Sequence, residues 1–269
     1  MKVGILGDIH ANLPALEATL KTLESLGCTS FVSVGDIVGY GPYPKECLEL
    51  LLNRGIPCVK GNHDEYVSQE EDTWSINPEA RFAVNWTREQ LSPEHRRILA
   101  ELPEELDCGE FSVVHASCTP LPRWSYILDE RSAATSLRHQ RRDICFHGHT
   151  HLPCVFEELP LSADTQRLLE ESSSSHLELL DKLGLTAPMP RLSLIRDGMI
   201  LSPGRRWLVN AGSIGQPRDK DPRSVALAYD TVSRELRILR VAYDIKAVQA
   251  PMIAANFPDR LVQRLEVGR

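Results

Sequence analysis

Short apolar runs alternate with longer amphipathic stretches through the first sixty residues of the chain. A run of four or five apolar residues predicts a buried strand, and apolar residues three and four positions apart predict a helix that packs on it. Such alternation is typical of a parallel α/β arrangement. The predicted strands are residues 2–6, 31–34 and 57–59, and the predicted helices between them are residues 13–26 and 44–52.

The pattern changes in the rest of the chain. Residues 77–100 predict one helix rich in Arg and Glu, and Trp74 and Trp86 are expected to be packing residues. Because the last three predicted strands are close together along the chain, we expect them to form part of a second, more antiparallel sheet. The further strands are predicted at residues 111–115, 144–146, 208–210, 225–229 and 236–241.

Residues 1–269 are interpreted as a single domain with an insertion at about residues 157–201. The insertion contains four consecutive serines at 172–175 and predicts a polar surface helix at about 168–183. It could form a cap that sets specificity, or it could be a solvated excursion without a function.

The composition limits the classes of partner. Hydrophobic residues make up 42% and charged residues 25% of the chain, as in ordinary soluble proteins. The net charge of -7 at pH 7 argues against stable nucleic-acid binding, which needs a basic surface. No apolar run reaches membrane-spanning length, so no membrane partner is expected. A homo-oligomer could form, because the sheet edge around residues 236–243 could pair between subunits.

The cysteines and the first residues indicate the compartment. The cysteines are scattered without a CxxC pair, which is typical of reduced thiols in a cytoplasmic protein. The first apolar run is interrupted at Asp8, too early for a signal peptide. We therefore expect a cytoplasmic location.

Polar side chains able to bind metals follow five of the predicted strands. The carboxyl ends of parallel strands form one rim of a sheet, and ligands bind at that rim. A turn, a helix cap or a buried histidine would account for any one of these residues, but apolar strands have no structural reason to end in this way five times. The candidate ligands are Asp8, His10, Asp36, Asn62, His115, His149 and His151.

The ligand types narrow the choice of metal. Carboxylates and imidazoles without a thiolate suit Mn, Fe, Zn, Co or Ni rather than calcium. Seven ligands exceed the needs of one ion once water is admitted, so two ions that share a carboxylate fit better. Two such ions can clamp the attacking and leaving oxygens of a phosphoryl transfer. We expect two divalent ions, with Mn as the first choice.

Five motifs follow one another along the chain: DIH at 8–10, GD at 35–36, GNHD at 61–64, His115, and GHTH at 148–151. In this order they resemble the calcineurin-like metallophosphoesterases. The stretches GDIVGYGPYP at 35–44 and NAGSIGQPRD at 210–219 further resemble the YfcE-type phosphodiesterase branch of bacteria and archaea. The resemblance implies an α/β fold, a four-layer α/β/β/α sandwich of two mixed sheets flanked by helices.

The resemblance also implies a role for each motif residue. Asp36 would bridge the two ions. His63 would lie just outside the metal ligands as general acid or transition-state stabiliser, with Asp64 orienting its ring, since a helper imidazole is often fixed by a carboxylate. The first ion would be bound by Asp8, His10 and His151, and the second by Asn62, His115 and His149.

The implied activity is hydrolysis of a phosphate ester by a hydroxide that bridges the two ions. The leading hypothesis is a phosphodiesterase for a small molecule or nucleotide, such as a cyclic nucleotide or a dinucleoside polyphosphate. A phosphomonoesterase, including a Ser/Thr protein phosphatase, stays open, because both reactions use the same ion pair. A non-enzymatic scaffold of the same fold could lose His63 or a ligand without penalty, whereas this chain keeps them all.

Three further residues are candidates for substrate binding. Arg218 could hold a substrate phosphate in a forked geometry, or it could form an ordinary surface salt bridge. Ser213 could approach the same rim. His147 lies just before the GHTH motif and could donate a hydrogen bond behind a ligand, contact substrate, or fill space.

Overall fold

Two mixed β-sheets pack face to face, and helices cover their outer surfaces. The computed structural model describes residues 1–70, 75–120, 123–160 and 189–269. The strands in these ranges are β1 (Lys2–Leu6), β2 (Ser30–Ser33), β3 (Glu105–Asp107), β4 (Ser112–Val114), β5 (Ile144–His147), β6 (Cys154–Glu157), β7 (Arg191–Ser193), β8 (Met199–Ile200), β9 (Trp207–Asn210), β10 (Ser224–Asp230) and β11 (Glu235–Val241). The helices are α1 (Leu13–Ser25), α2 (Pro44–Asn53), α3 (Asn62–Ser68), α4 (Pro78–Gln90), α5 (Pro93–Glu101), α6 (Glu130–His139), α7 (Ile245–Ala254) and α8 (Asp259–Val267).

Each sheet combines parallel and antiparallel pairs. The first sheet has the strand order β2-β1-β10-β11-β8, and the second has the order β3-β4-β5-β9-β6-β7. Strands β1 and β2 run parallel, as do β4, β5 and β9, and the other pairs are antiparallel. The predicted α/β/β/α sandwich is therefore confirmed.

Alternating side chains on β1 and β10 separate an inner from an outer apolar layer. Val3 and Ile5 lie between the two sheets, whereas Leu6 points to the opposite face and packs with α1 and α2. Ala226 and Ala228 of β10 belong to the same outer layer. Because these side chains are small, the helices can pack close to the sheet.

The helix predicted over residues 77–100 is divided into α4 and α5, so the prediction of one element is wrong. The Ser92 hydroxyl accepts a hydrogen bond from the amide of the third residue after it, at 3.2 Å, and so caps α5. Pro93 has no amide hydrogen and disfavours helical backbone in the residue before it. Trp86 packs on Phe257, with the ring centroids 4.9 Å apart, as its expected packing role requires.

The strand at residues 208–210 was expected to join the two strands that follow it, and this prediction is wrong. It forms β9 and pairs with β5 and β6 in the second sheet, while β10 pairs with β1 in the first. Both faces of β9 are buried, with Val209 between the sheets and Leu208 against α6. A strand that is apolar on both faces fits the middle of a covered sheet. The strand predicted at 57–59 forms only an isolated bridge, between Ser33 and Cys58.

Part of the range predicted as an insertion belongs to the sheets. Strand β7 pairs with β6 in the second sheet, and β8 pairs with β11 in the first. The serine run at 172–175, the helix predicted at about 168–183 and Trp74 all lie outside the described residues. The single-domain organisation stays a prediction. Among the described residues, none of the helices combines the length and apolar character that crossing a bilayer requires.

Phe146 tests the packing between the sheets. Its side chain is fully buried, and its ring meets Phe111 and Tyr229 edge-on at centroid distances of 5.2 and 5.5 Å. The replacement Phe146→Ala should lower the free energy of unfolding by about 3–5 kcal/mol, because apolar contact is lost and a cavity remains. Urea unfolding of the metal-free protein measures this change.

Val232→Ala is the control. At a position that is 84% exposed, this replacement should change the free energy of unfolding by less than about 0.5 kcal/mol. A loss at Phe146 no larger than that of the control would contradict the packing.

Candidate metal centre

The seven predicted ligands meet where the carboxyl ends of strands from both sheets come together. The stretch after β1 carries Asp8 and His10, and the turn after β2 carries Asp36. Strands β4 and β5 of the second sheet lead to His115 and to the GHTH loop. The site therefore lies across the two sheets rather than at the rim of one parallel sheet. Because the two sheets pack face to face, the ends of these strands lie close together.

One cluster contains Asp8, His10, Asp36 and His151, whose potential ligand atoms all lie within 4.8 Å of one another. The Nε2 atoms of His10 and His151 are 3.1 Å apart. His10 Nε2 is 3.5 Å from Asp36 Oδ2, and His151 Nε2 is 3.4 Å from Asp8 Oδ1. These four side chains could hold one divalent ion.

A second cluster shares Asp36 and adds His115 and His149. His115 Nε2 lies 3.4 Å from Asp36 Oδ2, 3.2 Å from His149 Nδ1 and 3.1 Å from Asn62 Oδ1. The other oxygen of Asp36, Oδ1, accepts a hydrogen bond from the His63 amide at 2.8 Å. The free oxygen of Asp36 thus faces both clusters, which is the geometry that a bridging carboxylate needs.

Each ligand histidine is fixed from behind by a backbone carbonyl. A carbonyl can only accept, so the outer ring nitrogen carries the hydrogen and the inner nitrogen keeps its lone pair. Inner nitrogens then face one another and a carboxylate as acceptors, a repulsive arrangement that a cation between them would relieve. The residues therefore fit a metal. The outer contacts are His10 Nδ1 with Val38 O at 3.2 Å, His115 Nδ1 with Val34 O at 2.8 Å, His151 Nδ1 with Gln216 O at 2.6 Å and His149 Nε2 with Trp124 O at 3.1 Å.

Burial shifts the proton equilibria of these groups. It lowers the pKa of His115 to about 4 and that of His10 well below its usual value, so both imidazoles are neutral at pH 7. Burial raises the pKa of Asp36 to about 7, and burial together with the nearby Asp36 raises the pKa of Asp8 well above its usual value. Neutral imidazoles are ready to bind a metal, and a bound cation would stabilise the two carboxylates.

The backbone at the ligands adopts a conformation that side chains rarely tolerate. A positive φ in a residue other than glycine costs of the order of 1–3 kcal/mol. It persists only where contacts with the surrounding structure hold the residue in that conformation. Hydrogen bonds compensate here, for example from the His149 amide to Asp8 Oδ1 at 3.0 Å. The ligands concerned are Asp8 (φ 42°), His10 (φ 47°), Asp36 (φ 51°), His149 (φ 68°) and His151 (φ 61°).

Two glycines allow the carboxylates to approach the backbone. A Cβ atom on Gly61 would lie 2.1 Å from Asp36 Oδ1, and one on Gly148 would lie 2.2 Å from Asp8 Oδ2. These separations are too short for any side chain. The glycines of GNHD and GHTH are thus required by the close packing of the two carboxylates.

Asp64 does not orient His63, so that part of the prediction is wrong. Asp64 Oδ1 accepts hydrogen bonds from the Ile37 and Val38 amides at 2.9 and 3.2 Å, and Oδ2 accepts from the Gly61 amide at 2.9 Å. Adjacent residues of a helix point in different directions, so this carboxylate turns to the backbone instead. Asp64 ties the loop after β2 to the start of α3, and both segments carry ligands.

His63 is buried beside the metal ligands but outside their shell. Its ring lies 5.0 Å from that of His10 and 4.3 Å from that of Tyr40, between centroids. Its Nδ1 atom is buried without a hydrogen-bond partner in the described part of the chain. A Cβ atom on Gly39 would lie 2.5 Å from this nitrogen, so the absence of a side chain there makes room for the ring.

The three predicted substrate-binding residues occupy different environments. Arg218 forms no ion pair within the described ranges; its charge acts on the buried ligands and its Nη2 donates to Gln216 Oε1 at 3.1 Å. Ser213 is fully buried, donates to the Asp8 carbonyl at 2.8 Å and accepts from the Gln216 amide at 2.8 Å, so it is a structural residue. His147 is buried beside Asn210, 3.4 Å from Nδ1 to Nδ2.

Sequence reasoning missed the segment that contacts His149. The Trp124 carbonyl accepts from that histidine, and the Tyr126 ring stacks on it with centroids 4.0 Å apart. Glu65, directly after the GNHD motif, accepts hydrogen bonds from this segment. The sequence offered one signal for this contact, because an acidic residue stands directly after the GNHD motif. The carbonyl contact itself offers none, since every residue has a backbone carbonyl.

The two mixed sheets thus bring together carboxylate and imidazole side chains that could bind divalent metal ions. The model of the calcineurin-like phosphoesterase superfamily domain matches residues 1–169, and the chain belongs to this family of metal-dependent phosphoester hydrolases. The family predicted from the five motifs is thereby confirmed.

Two solved structures and one protein sequence resemble the whole chain. A metallophosphoesterase from Sphaerobacter thermophilus is 35% identical, with a TM-score of 0.78 and coverage of 100% of both chains. The hypothetical protein PH1004 from Pyrococcus horikoshii OT3 is 18% identical, with a TM-score of 0.73 and coverage of 100% of this chain and 98% of that one, and it shares the fold. The uncharacterized protein MJ0912 from Methanocaldococcus jannaschii is 29% identical over 99% of this chain and 98% of its own length.

Asp64→Asn tests the structural role of this residue. An asparagine can still accept from one side, but its NH₂ group would face a backbone amide, so one buried donor loses its partner. We expect a loss of about 1–3 kcal/mol in the free energy of unfolding. Asp129→Asn is the matched control, because Asp and Asn cap helices about equally and Asp129 caps α6 at the surface. Chemical unfolding compares the two. A stability equal to wild type, with only turnover reduced, would restore Asp64 to a catalytic role.

Proposed function

We propose that this protein is a phosphodiesterase that uses two divalent ions to hydrolyse a small-molecule or nucleotide diester. The observation that carries the proposal is the pair of ligand clusters that share one oxygen of Asp36. Mn is the first choice of metal, and Fe, Zn, Ni and Co suit the same oxygen and nitrogen ligands. When bound, two such ions supply positive charge and lower the pKa of coordinated water.

The protein's own contribution begins with orientation. The four carbonyls behind the histidines and the left-handed turns fix the ligand atoms before any substrate arrives. A site held in this way does not need to reorganise when charge develops on the phosphoryl oxygens. Residues outside the ligand shell then have to bind the phosphate and supply a proton to the leaving oxygen.

His63 is the candidate proton donor. Burial, followed by the charge of Arg218, lowers its pKa well below the usual value, so the ring is neutral at pH 7 in the free protein. An anionic phosphate beside the ring favours its protonated form. The protonated ring can donate to the departing alkoxide as general acid. Because Nδ1 has no carboxylate partner, the substrate itself provides the opposing charge.

Arg218 is the candidate phosphate ligand. Its backbone amide donates to the carbonyl of the ligand His151 at 3.4 Å, and its positive charge opposes the rise in the pKa values of Asp8 and Asp36. A diester carries one negative charge, whereas a monoester carries nearly two at pH 7. The single charge of Arg218 therefore matches the diester better than the monoester alternative.

A cavity that borders the GHTH loop supports a small organic substrate. Its volume is about 560 Å³, within the range of small-molecule sites. It reaches the GHTH loop at Thr150 and is lined mainly by apolar side chains, including Ile127, Leu152 and Ile195. The organic part of a diester could occupy this space while its phosphate lies at the ligands.

A paired assay tests the preference for diesters. Protein stripped of metal with a chelator and reloaded with Mn should hydrolyse bis(p-nitrophenyl) phosphate faster than p-nitrophenyl phosphate at equal concentration, because the site offers one arginine for one charge. Release of nitrophenolate is the measurement. The chelated protein is the control and should be inactive. Faster hydrolysis of the monoester would overturn the diester proposal and favour the phosphatase alternative.

His63→Ala separates proton donation from metal binding. Turnover of a diester should fall about 100- to 10,000-fold, the usual contribution of a general acid. The metal content after gel filtration, measured by elemental analysis, should match wild type because His63 binds no ion. His95→Ala, at a histidine on α5 outside both ligand clusters, is the control for a general effect of losing an imidazole. Loss of metal in parallel with activity would refute the proton-donor role.

A further inference from the structure

His149 is held by a segment that belongs to no motif. Its Nε2 donates to the Trp124 carbonyl at 3.1 Å, and its ring face is covered by Tyr126 at an interplanar angle of 25°. Trp124 itself has a left-handed backbone with φ 61°. These contacts set both the tautomer and the rotation of the His149 ring, so anything that fixes residues 123–126 also fixes this ligand.

Glu65 is the residue that fixes the segment. It is 3% exposed, and its two oxygens accept from two neighbouring residues: Oε2 from Trp124 Nε1 at 2.7 Å and Oε1 from Arg123 Nη1 at 2.8 Å. The Arg123 guanidinium lies 5.1 Å from the centroid of the Trp124 ring. The Glu65 carboxylate, the Arg123 guanidinium and the Trp124 indole thus brace one another. Because the buried carboxylate accepts from both the guanidinium and the indole, the segment 123–126 has little freedom to move.

The position of Glu65 connects this brace to the metal ligands. Glu65 and Asn62 lie three residues apart on α3 and therefore share a face of the helix. Asn62 contacts His115 directly, and Glu65 reaches His149 through Trp124. Helix α3 thus positions both histidines of the second cluster. It contacts His115 directly and reaches His149 through Trp124.

We propose that Glu65 is a positioning residue for the second metal ion, which it serves by holding the Trp124 carbonyl against His149. The proposal rests on the two-ion centre proposed above. Removing the hydrogen bond behind a metal-binding histidine typically weakens metal binding 10- to 100-fold. Within the described residues, the hydrogen bonds of Glu65, Arg123 and Trp124 reach His149 but not Asp8, His10 or His151. The affinity of the first cluster should therefore stay within about twofold of wild type.

The test is a titration of the metal-free protein with Mn. Calorimetry and electron paramagnetic resonance both monitor the binding. Glu65→Gln keeps the size of the side chain but removes its charge and turns one acceptor into a donor. Trp124→Phe keeps the backbone carbonyl and removes the indole donor. Both variants should weaken the second binding step, Glu65→Gln by about 10- to 100-fold and Trp124→Phe in the same direction. The visible spectrum of the Co-loaded protein should change for the second ion alone.

Glu104→Gln is the matched control. Glu104 accepts from the other Arg123 nitrogen, Nη2, at 2.7 Å, but its side chain is 67% exposed and has no contact with Trp124. This variant should bind both ions as wild type does. An unchanged second step in Glu65→Gln, equal weakening of both steps, or the same weakening in Glu104→Gln would overturn the positioning role. A wild-type protein that binds one ion would instead overturn the two-ion centre on which the proposal rests.

Discussion

Four imidazole nitrogens, two carboxylates and one amide oxygen present their lone pairs to one another inside a buried space. Groups of this kind repel each other unless a proton or a cation lies between them, and burial removes the water that would separate them. The fold holds them together nevertheless. Carbonyls brace the histidine rings from behind, left-handed turns aim the side chains, and glycines let the carboxylates come close. The two packed sheets provide a support stiff enough to maintain this arrangement.

Much of the centre could be predicted from the sequence because its chemistry is local. A ligand that directly follows an apolar strand, such as His115 after β4, has a position fixed by that strand. The sheet to which a strand belongs is decided by distant partners, and β9 was assigned wrongly for this reason. The break at Ser92 carried a readable signal in the capping serine and Pro93. The role of Asp64 was misjudged because sequence neighbours on a helix do not face each other.

Other parts of the centre leave no trace in residue identity. The atom that orients His149 is a backbone carbonyl, and any residue at position 124 could supply one. What makes the contact specific is the buried carboxylate of Glu65, more than fifty residues earlier in the chain. Such a pairing depends on how α3 and the segment 123–126 approach each other, and spacing along the chain does not reveal that approach.

The division of the ligands between the sheets has a consequence for how long the folded protein lasts. In the first cluster, Asp8 and His10 follow a strand of the first sheet, and His151 follows a strand of the second. In the second cluster, Asp36 follows a strand of the first sheet and His149 follows a strand of the second. Metal ions bound at the centre would therefore link the two sheets of the sandwich. Any ligand that binds only the folded state lowers the equilibrium population of the unfolded state by mass action. The supply of metal in the cell would then govern the protein's resistance to proteolysis as well as its turnover.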